Sequence, residues 1–554
     1  MQVVQTKPVP TGTPEFEAKR AALLQEFAKK VPRDLCLPDD IFTNPPVDVT
    51  GIPASCGILS ARELEITGEH DATSLADAIA NRRYTAVEVA VAFCKRAIVA
   101  HQLTACLVEW FMDDAVAQAR RLDAHLAEHG TTVGPLHGVP VSIKGHIPIA
   151  GTSGHGGSMA EIAKSDRDCQ IVAILRGLGA VFYCKTAQPQ TMMHLESDSF
   201  RGRVLNPYNI HLSAGGSSGG EAALVAMRGS ALGVGTDIGG SVRGPAAFCG
   251  IHGLKTTSRV LPMRDFAPHP FAAELNVLVS AGPMCRSLRD MDLFMRIVLA
   301  ARPHLLDPNI VPIPWTGLAT ERPRRPLKVG IVVNDGFVEP QPPVKRAVEW
   351  ARRLLSDPRH AGAIEVKPFK PHGAAEAWKL VRRLYWPDGG SAVRDPLVAA
   401  GEPVHPLSAA IWADEEAGGV RSALDVNNMR RERDEFRYAF AESWEAQDVD
   451  VVLGPSFVGP ACAHDTALCW TYTSLYNLVD YPGVVFPTPI RAEAGEVYDD
   501  VYTPLSDECR RTRDLWDKGS FVGAPVALQL VARKYHDSHL LLALGTLEAI
   551  LAGK

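Results

Sequence analysis

Several features are missing from this 554-residue sequence, and each omission removes a class of function. No stretch reaches the run of about 18 apolar residues needed to cross a bilayer as a helix. The nearest, HLLLALGTLEAILAG, is shorter, carries Glu548 and reads as a packed terminal helix. The start, MQVVQTKPVPTGTPEF, lacks the charged opening and apolar run of a secretion signal. A strong excess of one charge is missing too: a formal net charge of −6 and a pI near 6.3 offer no broad attraction for nucleic acid or an anionic membrane. The 11 cysteines are odd in number, scattered and without a Cys-x-x-Cys pair, which argues against a disulfide framework and against a zinc site. Free thiols of this kind predict a reducing, cytoplasmic setting.

The composition present is that of an ordered globular protein. Apolar residues make up 46% and charged residues 22%, and 41 prolines with 46 glycines point to many ordered turns. The length exceeds the roughly 250 to 300 residues at which one core usually stops growing, so one very large domain or two to three ordinary ones are open. PEFEAKRAALLQEFAKKV, from Pro14, has helical spacing and is followed by a proline-rich connector, which sets residues 1–70 apart as an N-terminal helical arm. The catalytic body then covers 71–554. Ser74-x-x-Asp77 and Thr85-x-x-Glu88 read as capping boxes that open helices, with a third helix in DDAVAQARRLDAHL.

Strands begin to alternate with helices after residue 135. In LHGVPVSIKGH, Val141 and Ile143 share one face and Ser142 and Lys144 the other, so Lys144 stands at a strand end. CQIVAILRGLGAVFYCKT is a helix, a glycine break and a strand ending at Lys185; EAALVAMRG, ALGVGT and VRGPAAFCG continue as helix, strand and helix. RPRRPLKVGIVVND, VDVVLGP and GAPVALQLVA supply later strands, while about 340–447 is charged and helix-rich, an insertion or cap. This order predicts an α/β fold with a large mixed, mostly parallel β-sheet covered by helices on both faces.

Between Ser213 and Ser241 runs SAGGSSGGEAALVAMRGSALGVGTDIGGS. Alone, GGSSGG could be a flexible linker. The adjoining helix, strand and second Gly-Gly-Ser make it a structured loop whose glycines take positive φ or admit a ligand to the backbone. The stretch has neither the phosphate-loop pattern nor Gly-x-Gly-x-x-Gly. Gly-Ser-Ser-Gly-Gly does match Gly-x-Ser-x-Gly around Ser218, but a nucleophile elbow needs a strand directly before it and NPYNIHLSAG is rich in turns. A serine nucleophile here also has no histidine between Gly215 and Ser241 to serve as its base.

The whole arrangement, a strand ending in Lys144, then GGSSGG, then GTDIGGSVR, resembles the amidase signature family. GGSSGGEAALVAMRGSALGVGTDIGGSVRGPAAFCGIHGLK is similar to its signature nearly throughout, with GPLHGVPVSIK, GAVFYCKT, NPYN and GAPVALQLVAR in agreement. The resemblance covers about residues 55 to 550 and is nearest to the fungal general amidase, acetamidase-like branch. It implies the amidase signature fold and a Ser-Ser-Lys triad: Ser241 as nucleophile, Ser217 as bridging serine after a cis bond from Gly216, and Lys144 as base. Ser218 supports that turn, and Asp237 and Arg243 brace the next loop as a pair. The N–H groups of Ile238, Gly239, Gly240 and Ser241 would receive the oxyanion. Met192, Met193 and His194 are candidates for the substrate pocket, with WTYTSLYNLVDYPG as its other wall.

The chemistry makes a strong demand on Lys144. A free lysine has a pKa near 10.4, so only about one in 10³ is uncharged at neutral pH; a drop of roughly 3 units corresponds to about 4 kcal/mol. Burial among hydroxyls would supply it. Two departures from the family stand out: Gly145 and His146 follow the lysine where an acidic residue is usual, and Lys255 lacks the usual following proline. The implied activity is hydrolysis of a small aliphatic or aromatic carboxamide to a carboxylate and ammonia or an amine, with no cofactor and no metal. Amide-forming acyl transfer, or a partner-dependent subunit of a transamidation complex, are the alternatives. A homodimer is compatible with this reading; nucleic acid and membrane partners are not expected.

Overall fold

A computed structural model describes the chain except for residues 267–275, 322–324, 414–417, 500–502 and 554. Its main sheet has eleven strands: β1 (Leu107–Trp110), β2 (Pro140–Lys144), β3 (Val181–Thr186), β4 (Leu232–Asp237), β5 (His252–Lys255), β6 (Ser280–Cys285), β7 (Leu327–Ile331), β8 (Ile364–Pro368), β9 (Val451–Pro455), β10 (Gly483–Arg491) and β11 (Pro525–Ala532). Their spatial order is β1-β3-β2-β4-β6-β5-β10-β11-β9-β7-β8. Parallel pairing holds in β3-β2-β4 and again in β9-β7-β8. Antiparallel pairing joins these two runs through β6, β5, β10 and β11, and adds β1 at the edge. Strands β2, β3 and β4 are buried at every residue, as expected where helices cover both faces of a sheet.

The helices that bear on the site are α1 (Pro14–Lys29), α2 (Ala72–Ala80), α3 (Ala86–Thr104), α4 (Met112–His129), α5 (Gly219–Ala226), α6 (Arg243–Phe248), α7 (Pro342–Leu355), α8 (Ala374–Tyr385), α9 (Ala423–Ala446), α10 (Thr471–Leu478) and α11 (Asp537–Leu551). Thr85 and Glu88 form the capping box of α3 as read from the sequence. Ser74 does not open α2. The helix starts three residues earlier, with Asp71 as N-cap and Ser74 at the third position, because the Asp71 carboxylate takes both the Ser74 N–H at 2.9 Å and its hydroxyl at 2.7 Å. A short strand, Asn209–Ser213, does precede the Gly-Ser loop, but it pairs with Leu205–Asn206 in a separate two-stranded sheet.

Residues 340–447 serve two purposes. Helix α7 packs on β10 and β11, and β8 extends the main sheet beside β7. Helix α8 instead packs against α9 and α10, which carries its last residue, Tyr385, to the loop after β4.

The N-terminal segment is held by the body at several points. The Val4 N–H donates to the Gln102 carbonyl at 2.8 Å, and the Gln102 amide donates to the Leu35 carbonyl at 2.8 Å. Arg20 reaches the Phe200 carbonyl at 2.5 Å. Val4, Phe27, Val31 and Leu35 belong to the same apolar cluster as the sheet residues, with the Phe27 ring 4.8 Å from His101. All eleven cysteines are free thiols. Among the described residues no helix is long and apolar enough to cross a membrane.

Since Phe27 shares the core of the sheet, Phe27→Ala should lower stability by about 3 to 5 kcal/mol in denaturant unfolding, within one cooperative transition. A separate early transition for the arm would contradict a shared core.

Candidate active site

Lys144 closes β2 with no exposed surface. Its Nζ donates to Ser217 Oγ at 2.6 Å and to Thr236 Oγ1 at 3.1 Å. Ser217 follows a cis peptide bond from Gly216 and precedes Ser218, the residue that leads into α5. The Ser218 N–H donates to the Ser241 carbonyl at 3.0 Å, and the Ser218 hydroxyl to the Thr236 carbonyl at 3.4 Å. Thus the end of β2, the turn before α5 and the loop after β4 meet at one point. Exposure rises from 0% at Lys144 through 2% at Ser217 to 7% at Ser241, so Ser241 is the outermost of the three. Gly216 is required here because a Cβ would lie 2.6 Å from Glu196 N and 2.7 Å from the His194 carbonyl oxygen.

Burial carries Lys144 down to a pKa of about 7, against the opposing pull of the Asp237 and Glu221 charges. Hydroxyls, which stabilise neither protonation state as a carboxylate would, are its hydrogen-bond partners. Glu221, on α5, is itself pushed up to about 7 by burial, and accepts from Ser142 Oγ at 2.5 Å and Thr186 Oγ1 at 2.8 Å. Ser142 and Lys144 use the shared face of β2 inferred from the sequence, one reaching α5 and the other the turn before it.

The loop after β4 is organised around Asp237. Its carboxylate accepts both forks of Arg243 at 3.1 Å, the N–H groups of Gly240 at 2.8 Å, Val242 at 3.1 Å and Arg243 at 3.3 Å, and the Asn477 amide at 2.9 Å. These contacts hold it well below the usual carboxylate range, with the Arg243 charge the largest favourable influence against burial. Arg243 also donates to the Thr473 carbonyl, Asn477 Oδ1 and Gln529 Oε1. Both partners have fully buried side chains, so this is an internal brace rather than a surface ion pair. The Gly240 N–H, one of the four amides that the resemblance assigns to the oxyanion, donates to the Asp237 carboxylate.

The pocket candidates separate. Met192 lines a cavity of about 800 Å³ together with His146, His155, Thr191 and Phe266. Met193 is half-buried against the core. His194 is 2% exposed and its ring stacks on His405 at 5.0 Å. Gly145 has no room for an acidic side chain, because a Cβ would lie 2.9 Å from the Thr186 carbonyl oxygen. His146 is buried: its Nδ1 lies 2.9 Å from Gln188 Oε1 and its Nε2 3.5 Å from Thr236 Oγ1.

The amidase family model matches residues 88–541 of this chain. The chain belongs to the amidase family. Amidases cleave carboxamide C–N bonds, and this one is a hydrolase of that kind. A Schizosaccharomyces pombe protein, named provisionally as an amidase, is 40% identical over 520 residues, covering 93% of this chain and 95% of that one. An acetamidase of Aspergillus oryzae is 33% identical, covering 93% of this chain and 96% of its own length. A solved structure of a fatty acid amide hydrolase superposes with a TM-score of 0.89 at 33% identity, covering 98% of this chain and 96% of that one.

Several residues of this amidase site carry no local sequence signal. Thr236 touches the lysine, Tyr385 donates to the Ile238 carbonyl at 2.8 Å, and Thr473 donates to the Gly239 carbonyl at 2.7 Å. The segment WTYTSLYNLVDYPG supplies Thr473 and Asn477 from α10, with Trp470 just before it. Ligand-type atoms of Glu196, Asp198 and His464, and of Asp198, His405 and Asp465, lie within 4.8 Å of one another. The carboxylates among them already have partners within the protein. Arg203 donates to Asp198 and Asp465, Lys7 pairs with Asp465 at 2.5 Å, and Glu196 accepts the N–H groups of Asp465, Thr466 and Ala467.

Because Asp237 would be left as an uncompensated buried charge, Arg243→Ala should cost about 3 to 5 kcal/mol in denaturant unfolding. A loss below about 1 kcal/mol would show that solvent reaches the pair.

Proposed function

We propose that this amidase acts on small aliphatic or aromatic amides through a Ser241 acyl-enzyme, with Ser217 as relay and Lys144 as base. The observation that carries this reading is the 2.6 Å contact between the buried Lys144 amine and the Ser217 hydroxyl. With its pKa near 7, about half of Lys144 is uncharged at neutral pH and has a lone pair for a proton. Ser241 Oγ attacks the substrate carbonyl carbon while its proton passes to Ser217, whose own proton passes to Lys144. The carbonyl oxygen becomes an oxyanion held by the N–H groups of Ile238, Gly239 and Ser241. As the C–N bond breaks, the proton returns through the relay to the leaving nitrogen, releasing ammonia or an amine. Water then attacks the acyl-enzyme by the same relay and frees the carboxylate.

Similarity to acetamidases of Aspergillus oryzae and Emericella nidulans supports small amides as the substrate class. Similarity to a fatty acid amide hydrolase structure supports the cleavage chemistry. The same proposal takes residues 1–70 as an arm and 71–554 as the catalytic domain, in a cytoplasmic enzyme, with a homodimer compatible with it. The free thiols are in keeping with a reducing compartment.

Ammonia release by the purified chain, measured over a panel of simple amides, tests the substrate class. Ser241→Ala should abolish both release and labelling by a fluorophosphonate; retained labelling would assign the nucleophile elsewhere. Lys144→Ala should lower kcat/KM by about 10²- to 10⁴-fold with the thermal midpoint maintained. Since the active form is the uncharged amine, kcat/KM should rise with pH through about 7 and level off above it. A profile that falls through that range would require an acid in place of the base.

A further inference from the structure

Two hydroxyls from outside the glycine-rich region hold successive carbonyls of the loop after β4. Tyr385, at the end of α8, donates to the Ile238 carbonyl at 2.8 Å. Thr473, on α10, donates to the Gly239 carbonyl at 2.7 Å. In a planar trans peptide the C=O of one residue and the N–H of the next point in opposite directions. The hold on the Gly239 carbonyl accordingly sends the Gly240 N–H the other way, into Asp237 at 2.8 Å. The hold on the Ile238 carbonyl likewise fixes the direction of the Gly239 N–H, opposite to the Tyr385 hydroxyl. That amide is one of the three left for the oxyanion.

The Tyr385 hydroxyl has a single hydrogen. That hydrogen is given to the Ile238 carbonyl, with the Trp470 indole N–H beside the hydroxyl on the same side of Gly239. Burial keeps the phenol protonated far above its ordinary range, which preserves it as a donor at every working pH. Gly239 lies between these groups: a Cβ there would sit 2.6 Å from the Tyr385 oxygen and 3.2 Å from Trp470 Nε1.

We propose that Tyr385 is a positioning residue of the oxyanion site, aiming the Gly239 N–H at the substrate oxygen by holding the Ile238 carbonyl. The proposal rests on the assignment of Ser241 as nucleophile. It also gives the helical segment around α8 a part in the chemistry, since a side chain from residues 340–447 holds a carbonyl 147 positions earlier in the chain.

The test is Tyr385→Phe in the full-length enzyme, which removes one hydroxyl and keeps the ring. An amide that changes direction weakens binding of the developing oxyanion more than binding of the substrate. kcat should fall by about 10-fold or more with KM within about twofold, and a boronic acid that forms a tetrahedral adduct should weaken in parallel. Trp470→Phe, which removes the indole N–H beside that hydroxyl, should give a smaller fall of the same kind and serves if the first variant does not fold. An unchanged kcat, or a fall in kcat with boronate affinity maintained, would overturn the proposal. Fluorophosphonate labelling of the parent enzyme at Ser241 is read separately: failure there removes the nucleophile assignment, whereas labelling with an indifferent Tyr385→Phe removes only the role of Tyr385.

Discussion

The proposed mechanism depends on keeping one amine dry. Lys144 lies at the end of a strand buried on both faces, and its hydrogen-bond partners are the hydroxyls of Ser217 and Thr236. A carboxylate in contact would stabilise the ammonium and remove the base; water would do the same. The nearby acids are handled accordingly. Asp237 is committed to Arg243 and a set of amides, and Glu221 is buried under Ser142 and Thr186 with its own pKa near 7. Both faces of the sheet must be covered for this to work, which ties the chemistry to the fold as a whole.

The second constraint is on the direction of amides. A loop rich in glycine has little preference of its own, so its peptide planes must be held from outside. Asp237 takes the N–H groups of Gly240, Val242 and Arg243, while Tyr385 and Thr473 take two carbonyls. The cost of that arrangement is visible in Gly240, whose φ of +129° and close approach to Thr473 leave no place for a side chain. The loop therefore needs β4, directly before it, and two distant helices, α8 and α10, to be folded before its peptide planes are fixed.

What could be read from the sequence was what local pattern determines. The strand ending at Lys144, the small-residue helix after Ser218 and the capping box at Thr85 are each encoded within a few residues and stand as read. Ser74 was misplaced because two acceptors compete within four residues, and the carboxylate of Asp71 prevails over a hydroxyl. The triad residues were legible only through their resemblance to a known signature, since nothing in the spacing alone ties residue 144 to residue 217. Tyr385 carries no such signal, and Thr473, Asn477 and Gln529 fall in WTYTSLYNLVDYPG and GAPVALQLVAR, segments the resemblance picks out without giving these residues a role. They reach the loop across 147, 234, 240 and 286 positions, and each sits in a segment with an ordinary amphipathic or apolar pattern. The partner of the Gly240 amide is equally hidden: a row of glycines announces available donors without saying which one an internal carboxylate takes.

The protonation state of Lys144 is the point on which the account turns, and it can be observed without turnover. In enzyme labelled with carbon-13 at lysine Cε, one resonance absent from a Lys144→Met variant should titrate with a midpoint near 7. If that resonance holds the shift of a charged ammonium up to pH 10, the amine is not the base.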